Sequence, residues 1–219
     1  MIRAVVFDVG ECLVDDTRAY ESWADWFGVP RHTFHAMFGV LVAQGRDHRD
    51  VFHLFRPGAD LDEEREKRAA AGKPESFGEE DLYPDARPAL AALRGAGLWL
   101  GIAGNQTIGG ERHLRGLFAG DVDAIGTSAG WGVGKPDPEF FVRMGEAVPF
   151  PAGETLYVGD RLDEDVVPAA AAGMRTALVR RGPWALMQWR EPEAGLPTFR
   201  VEGLSALPEE VARFNAQVR

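Results

Sequence analysis

Cysteine occurs once in these 219 residues, at Cys12, and lysine three times, at Lys67, Lys73 and Lys135. A single cysteine cannot close an internal disulfide, so a reducing cytoplasm is the expected location. No run of 18 or more apolar residues occurs, which excludes a membrane-spanning helix. The opening Met1-Ile2-Arg3 leads straight into an apolar segment, so no signal peptide is expected. Basic side chains are also short, 24 against 34 acidic ones, for a net charge of −10. Without a basic stripe to offset phosphate repulsion, nucleic acid is not an expected partner. A small anion is not excluded, because a local cluster can overcome the global field. Among so few lysines, Lys135 stands out.

What is present is ordinary in bulk. Hydrophobic residues make up 45% and charged residues 26%, as in soluble globular proteins, and the length suits one α/β domain with an insert of moderate size. Ala4-Val5-Val6-Phe7 is a short apolar run rich in β-branched residues, the pattern of a strand buried on both faces. Similar runs recur at Leu98 to Ala103, near Asp123 to Gly126, at Thr155 to Val158 and at Thr176 to Val179, with a short strand at Phe199 to Val201. Helical spacing separates them: Tyr83-Pro84 opening a helix through Leu93, a helix carrying Leu114 and Leu117, one at Phe140 to Ala147, an Ala-rich one over 164–172, and a last one from Pro208. Gly182-Pro183-Trp184 reads as a loop. This βα alternation predicts an α/β fold, a Rossmann-like parallel sheet with helices on both faces.

Residues 16–80 differ. Ala19, Trp23, Trp26 and Phe27, then Phe34, Met37, Phe38 and Leu41, recur at three- and four-residue steps, split by Gly28-Val29-Pro30. Val51, Phe52 and Phe55 mark a third helix, and the charged stretch 60–72 reads as a solvated fourth. The expected division is a core of 1–15 with 81–219 and an inserted all-helical unit of 16–80, hinged at Asp15-Asp16 and Gly78-Glu79. His32, His35, His48 and His53 lie in the insert beside Arg31, Arg46, Arg49 and Arg56. One or two could meet an anionic substrate, but no zinc ligand set is evident. Exposed Trp and Phe there leave a homodimer open.

Three strands end in polar groups: Asp8, the Gly104-Asn105-Gln106-Thr107 turn, and Asp160. A parallel sheet delivers all three ends to one edge, where open α/β sheets bind ligands, and the Lys135-Pro136-Asp137-Pro138 loop can reach the same edge. Asp8 follows a buried strand, so its carboxylate is costly unless a cation meets it. Two carboxylates and an ammonium converging in this way suit Mg²⁺ and a phosphate group, since Mg²⁺ takes one or two carboxylates and keeps several waters. Asp160 alone would pass for a helix N-cap, and Lys135 alone for a solvated lysine.

Phe7-Asp8-Val9-Gly10-Glu11-Cys12-Leu13-Val14-Asp15, Gly101-Ile102-Ala103-Gly104-Asn105, Val133-Gly134-Lys135-Pro136-Asp137-Pro138 and Val158-Gly159-Asp160 through Asp165 together resemble the four motifs of the haloacid dehalogenase-like (HAD) hydrolase superfamily. The helical insert resembles its C1-type cap. The resemblance implies a HAD core with the active site under that cap. It implies that Asp8 attacks phosphorus to form an aspartyl-phosphate, and that Mg²⁺ is held by Asp8, the Gly10 carbonyl and Asp160, with Asp165 supporting its water shell. Lys135 would screen nucleophile and phosphate, and Gly104 and Asn105 would meet the phosphate.

Two positions depart from that pattern. Gly10 stands where the family's phosphatases carry a second Asp acting as general acid and base, a loss that typically costs ~10²–10⁴ in rate. Gly104 stands where Ser or Thr usually meets the phosphate, and a lost donor to developing charge costs roughly 3–4 kcal/mol. Glu11 is a tempting substitute acid, but a structural role is the better expectation. The leading expectation is a Mg²⁺-dependent phosphatase acting on a small phosphate ester. Carbon–halogen hydrolysis, which needs no leaving-group acid, and a non-catalytic HAD-fold binding protein are the alternatives.

Overall fold

The computed structural model describes residues 1–218. Its centre is β1 (Ala4–Phe7), whose four side chains are all buried. β2 (Trp99–Gly104), β3 (Ala124–Thr127), β4 (Thr155–Gly159), β5 (Arg175–Val179) and β6 (Phe199–Val201) join it in one sheet of order β3-β2-β1-β4-β5-β6. Every adjacent pair is parallel. The fold is therefore the α/β arrangement read from the alternation of strands and helices. Phe7 pairs with Ile102 on one side and Val158 on the other. The residues just beyond these leave the sheet along a single edge, flanking the point where the strand order reverses between β1 and β4.

The chain forms two compact units, residues 1–15 with 78–219, and residues 16–77. In the smaller unit, α1 (Thr17–Phe27), α2 (Arg31–Ala43), α3 (Asp50–Phe55) and α4 (Leu61–Ala70) follow the apolar spacing. Trp23, Phe34, Phe38 and Phe52 are buried, and Trp23 and Phe52 bring their ring centres to 4.9 Å. The solvated reading of 60–72 needs correction, because Glu64 and Arg68 are buried. Glu64 accepts from Trp26 Nε1 at 2.8 Å, Arg56 at 2.7 Å and Lys67 at 3.0 Å. Arg68 lies 4.2 Å over the Trp23 ring and donates to Ser22 Oγ at 2.8 Å. An i,i+4 pair can face inward when indole donors and ring faces are there to receive it.

In the larger unit the sheet is surrounded by α5 (Ala86–Gly95), α6 (Ile108–Leu117), α7 (Ser128–Trp131), α8 (Pro138–Ala147), α9 (Val167–Ala171), α10 (Gly182–Gln188) and α11 (Leu207–Gln217). Phe140, Phe141 and Met144 of α8 pack with Val6, Ala103 and Tyr157. The loop expected at Gly182-Pro183-Trp184 is instead the start of α10. Proline in the first turn of a helix has no intrahelical amide bond to lose, so it opens a helix as readily as a turn. The Ala-rich helix is likewise divided, with a π-helical turn over Leu162–Val166 ahead of α9. Asp15 N–H bonds the Asp81 carbonyl at 2.8 Å, and Gly78 N–H bonds the Asp81 carboxylate at 2.8 Å. The first bond ties the larger unit's two segments together, and the second closes a turn at the start of the later segment. No helix among the described residues is long and apolar enough to cross a membrane.

Candidate active site

Four side chains meet at the sheet edge. Asp8 continues β1 by one residue, its N–H bonded to the Val158 carbonyl at 2.8 Å. Lys135 Nζ lies 2.7 Å from Asp8 Oδ1 and 2.5 Å from Asp165 Oδ1, with its side chain only 3% exposed. Asp160 follows β4 directly and is 2% exposed. Asp8, Asp160 and Asp165 each place a carboxylate oxygen within 4.8 Å of the others.

Lys135 is held from behind. Asn105 accepts from Lys135 N–H at 2.8 Å and donates to the Lys135 carbonyl at 3.0 Å. Both ends of the Asn105 amide are thus taken by the lysine's main chain, where sequence reading gives Asn105 to the phosphate. Its observed work is to place the Lys135 loop. Asp165 is similarly occupied, with Oδ1 on Lys135 and Oδ2 accepting from Arg161 N–H at 3.0 Å. Gly159 leaves room for it, since a Cβ there would stand 2.2 Å from Asp165 Oδ2. Gly104 does the same for Asp8, because a Cβ would lie 2.6 Å from Asp8 Oδ1.

The electrostatics follow from burial. Burial raises the Asp8 carboxyl to about 6, with Lys135 pulling the other way. Burial pushes Asp160 well above the carboxylate range, and Asp165, Asp8 and Glu11 add repulsion. Burial also opposes the charge on Lys135, yet Asp165 and Asp8 keep its pKa well above the ordinary lysine value. Three carboxylates share one ammonium, a deficit of two positive charges when all are ionised. Asp160 Oδ2 is buried and has no hydrogen-bond partner. An orphaned buried carboxylate oxygen beside two further carboxylates is what a small divalent cation would satisfy, so the residues present fit Mg²⁺.

The turn after Asp8 folds over the Val9 carbonyl, which receives the N–H groups of Cys12, Leu13 and Val14 at 3.3, 2.9 and 2.9 Å. Gly10 bridges to Val14 within it. Glu11 Oε2 accepts from the Tyr83 hydroxyl, the structural role expected of it. Tyr83 and Arg181 belong to this turn's support and went unread in the sequence. The available signal was Arg181 itself, a charged residue two positions beyond a buried strand that ends on the same edge.

A family model described as haloacid dehalogenase-like hydrolase matches residues 2–173. A curated relative, the glyceraldehyde 3-phosphate phosphatase of Methanopyrus kandleri, is 28% identical over 92% of this chain and 94% of its own length. The phosphoserine phosphatase of Thermus thermophilus is 34% identical over 56% of this chain and 48% of its own. Among solved structures, the L-2-haloacid dehalogenase of Xanthobacter autotrophicus superposes with a TM-score of 0.66 at 21% identity, covering 97% of this chain and 99% of that one. Phosphatase and dehalogenase relatives thus share this fold, and fold alone does not separate the two chemistries.

Proposed function

Because the chain belongs to the haloacid dehalogenase-like hydrolases, we propose that it is a Mg²⁺-dependent phosphatase acting on a small phosphate ester through Asp8. The observation that carries this reading is the unpaired, buried Asp160 oxygen beside the Asp8–Lys135–Asp165 group. Asp8, the Gly10 main-chain carbonyl and Asp160 would hold the cation, which supplies positive charge to the phosphate oxygens when bound. The phosphatase names of the relatives support the same substrate class. The helical unit 16–77 is proposed as the substrate-selecting cap.

In this scheme an Asp8 oxygen attacks phosphorus, an aspartyl-phosphate forms, and the ester oxygen departs with the bonding pair. Water then attacks phosphorus, Asp8 leaves as carboxylate, phosphate keeps one of the water's protons, and the other passes to solvent, balancing the proton that the departed ester oxygen takes from solvent. Lys135 neutralises Asp8 and steadies the equatorial oxygens. Asp165 and Asn105 keep the ammonium in place. Gly10 can supply no proton to the departing oxygen, so aryl phosphates should turn over better than alkyl phosphates.

Phosphate release from a broad ester panel with and without Mg²⁺ is the direct test. Turnover that needs Mg²⁺ and disappears in Asp8→Asn supports the proposal; a silent panel rejects it. Gly10→Asp is expected to raise alkyl phosphate turnover by ~10²–10⁴. Carbon–halogen hydrolysis draws its support from Gly10, since attack on carbon needs no acid there. Halide release from 2-haloacids that persists in EDTA would favour it.

A further inference from the structure

The turn that carries Asp8 and Gly10 is clamped by groups that lie outside the proposed cation ligands. Glu11 has φ 51° and is the one non-glycine residue with positive φ among those described. A glutamate does not adopt that backbone without compensation. Its compensation is visible on two sides. Its carboxylate accepts from the Tyr83 hydroxyl, and its stem packs on Gly182, where an added Cβ would lie 2.6 Å from Glu11 Cγ. Gly182 itself has φ 62° and opens α10.

Arg181 completes the clamp. Its guanidinium carbon sits 4.1 Å from the Tyr83 ring centre. One nitrogen donates to the Cys12 carbonyl at 2.7 Å, and the other donates to Asp85. Asp85 is fixed in turn by the Ser205 N–H at 3.2 Å, and Tyr83 N–H bonds the Leu13 carbonyl at 3.0 Å. The end of β5, the start of α5 and the turn after β1 are therefore joined through one cation and one phenol. Glu11 also adds negative potential at Asp160, so the clamp bears on both ends of the proposed cation site.

We propose that Glu11, Tyr83 and Arg181 are positioning residues for the divalent cation, holding the Val9–Val14 turn so that Asp8 and the Gly10 carbonyl meet it together. The inference rests on the cation reading of Asp8 and Asp160 given above. None of the three needs to touch the cation. Outer-shell partners of metal ligands typically govern affinity by 10–100-fold when removed.

Mg²⁺ titrated calorimetrically into the substrate-free, full-length protein tests this without any turnover. Wild type is expected to bind and Asp160→Asn to fail. Tyr83→Phe and Glu11→Ala are expected to weaken Mg²⁺ binding about tenfold or more at a temperature where both remain folded. Glu11→Gln keeps an oxygen for the Tyr83 hydroxyl, so its affinity should fall between those of wild type and Glu11→Ala. Wild-type Mg²⁺ affinity in Tyr83→Phe and Glu11→Ala, even with lowered thermal midpoints, overturns the positioning role and leaves the cation site standing. Absence of binding in wild type, or unchanged binding in Asp160→Asn, overturns the cation site and this inference with it.

Discussion

Lys135 is the one ammonium among three carboxylates, and two of them touch it directly. Its removal strands a buried charge instead of merely losing a contact. Breaking a buried pair in this way costs roughly 3–5 kcal/mol. Lys135→Ala is therefore expected to lower the urea-unfolding free energy of the metal-free protein by about that amount and to abolish phosphate release. A stability loss below ~1 kcal/mol would show that the pair is already solvated. Gly104 makes a different argument at the same scale. Reading it as a missing hydroxyl suggests that serine would repair the site. The geometry says otherwise, because the Cβ alone would press within 2.6 Å of Asp8 Oδ1. Displacing a reacting atom by about 1 Å can cost on the order of 10²-fold. Gly104→Ser should thus lower the rate of Asp8 phosphorylation by a chemical donor, measured by intact mass.

Among elements, strands were the most legible, because each is a short apolar run with a polar residue at its carboxyl end. The sheet edge followed directly: Asp8, Lys135 and Asp160 could be brought together from sequence once the strands were known to be parallel. What could not be read was which polar partner each side chain takes. The resemblance gives Asn105 to the phosphate through its place in the second motif, whereas its bonds to the Lys135 main chain span 30 residues and carry no local pattern. α10 was hidden by Gly-Pro, which serves a turn and a helix start equally well. The burial of α4's charges was hidden because Glu64 and Arg68 look like any solvated pair until Trp23 and Trp26 are placed against them. That last case is testable. Glu64→Ala leaves the Trp26 indole N–H without its acceptor while Arg56 and Lys67, both more than a third exposed, turn to water. The cost should be about 1–3 kcal/mol, set by the unmatched indole, and should appear as faster amide exchange within 16–77. Hydrogen bonds from Trp26 and Lys67 hold the Glu64 carboxyl below its ordinary value. Its contribution is accordingly complete above the usual glutamate range and is lost as pH falls through the lowered value.

At the scale of the whole molecule, the proposed cation site predicts a linkage between folding and Mg²⁺. The larger unit gathers Asp8 from the end of β1 with Asp160 and Asp165 from the end of β4 and the turn after it, so the repulsion between Asp8 and the other two exists only when the sheet is assembled. An unfolded chain spreads the same carboxylates and neither suffers the repulsion nor binds the ion well. If the proposed site takes Mg²⁺, the ion is expected to stabilise the native state by mass action, by about 2.7 kcal/mol at a hundredfold excess over its dissociation constant. That corresponds to roughly 100-fold slower exchange for amides that open only with the larger unit. The slowing is expected in β1 and β4, whose ends carry the proposed ligands. It should vanish in Asp160→Asn and in EDTA. If Mg²⁺ instead protected the Asp160→Asn protein equally, the ion would be acting elsewhere on a surface of net charge −10, and the sheet edge would lose its claim to it.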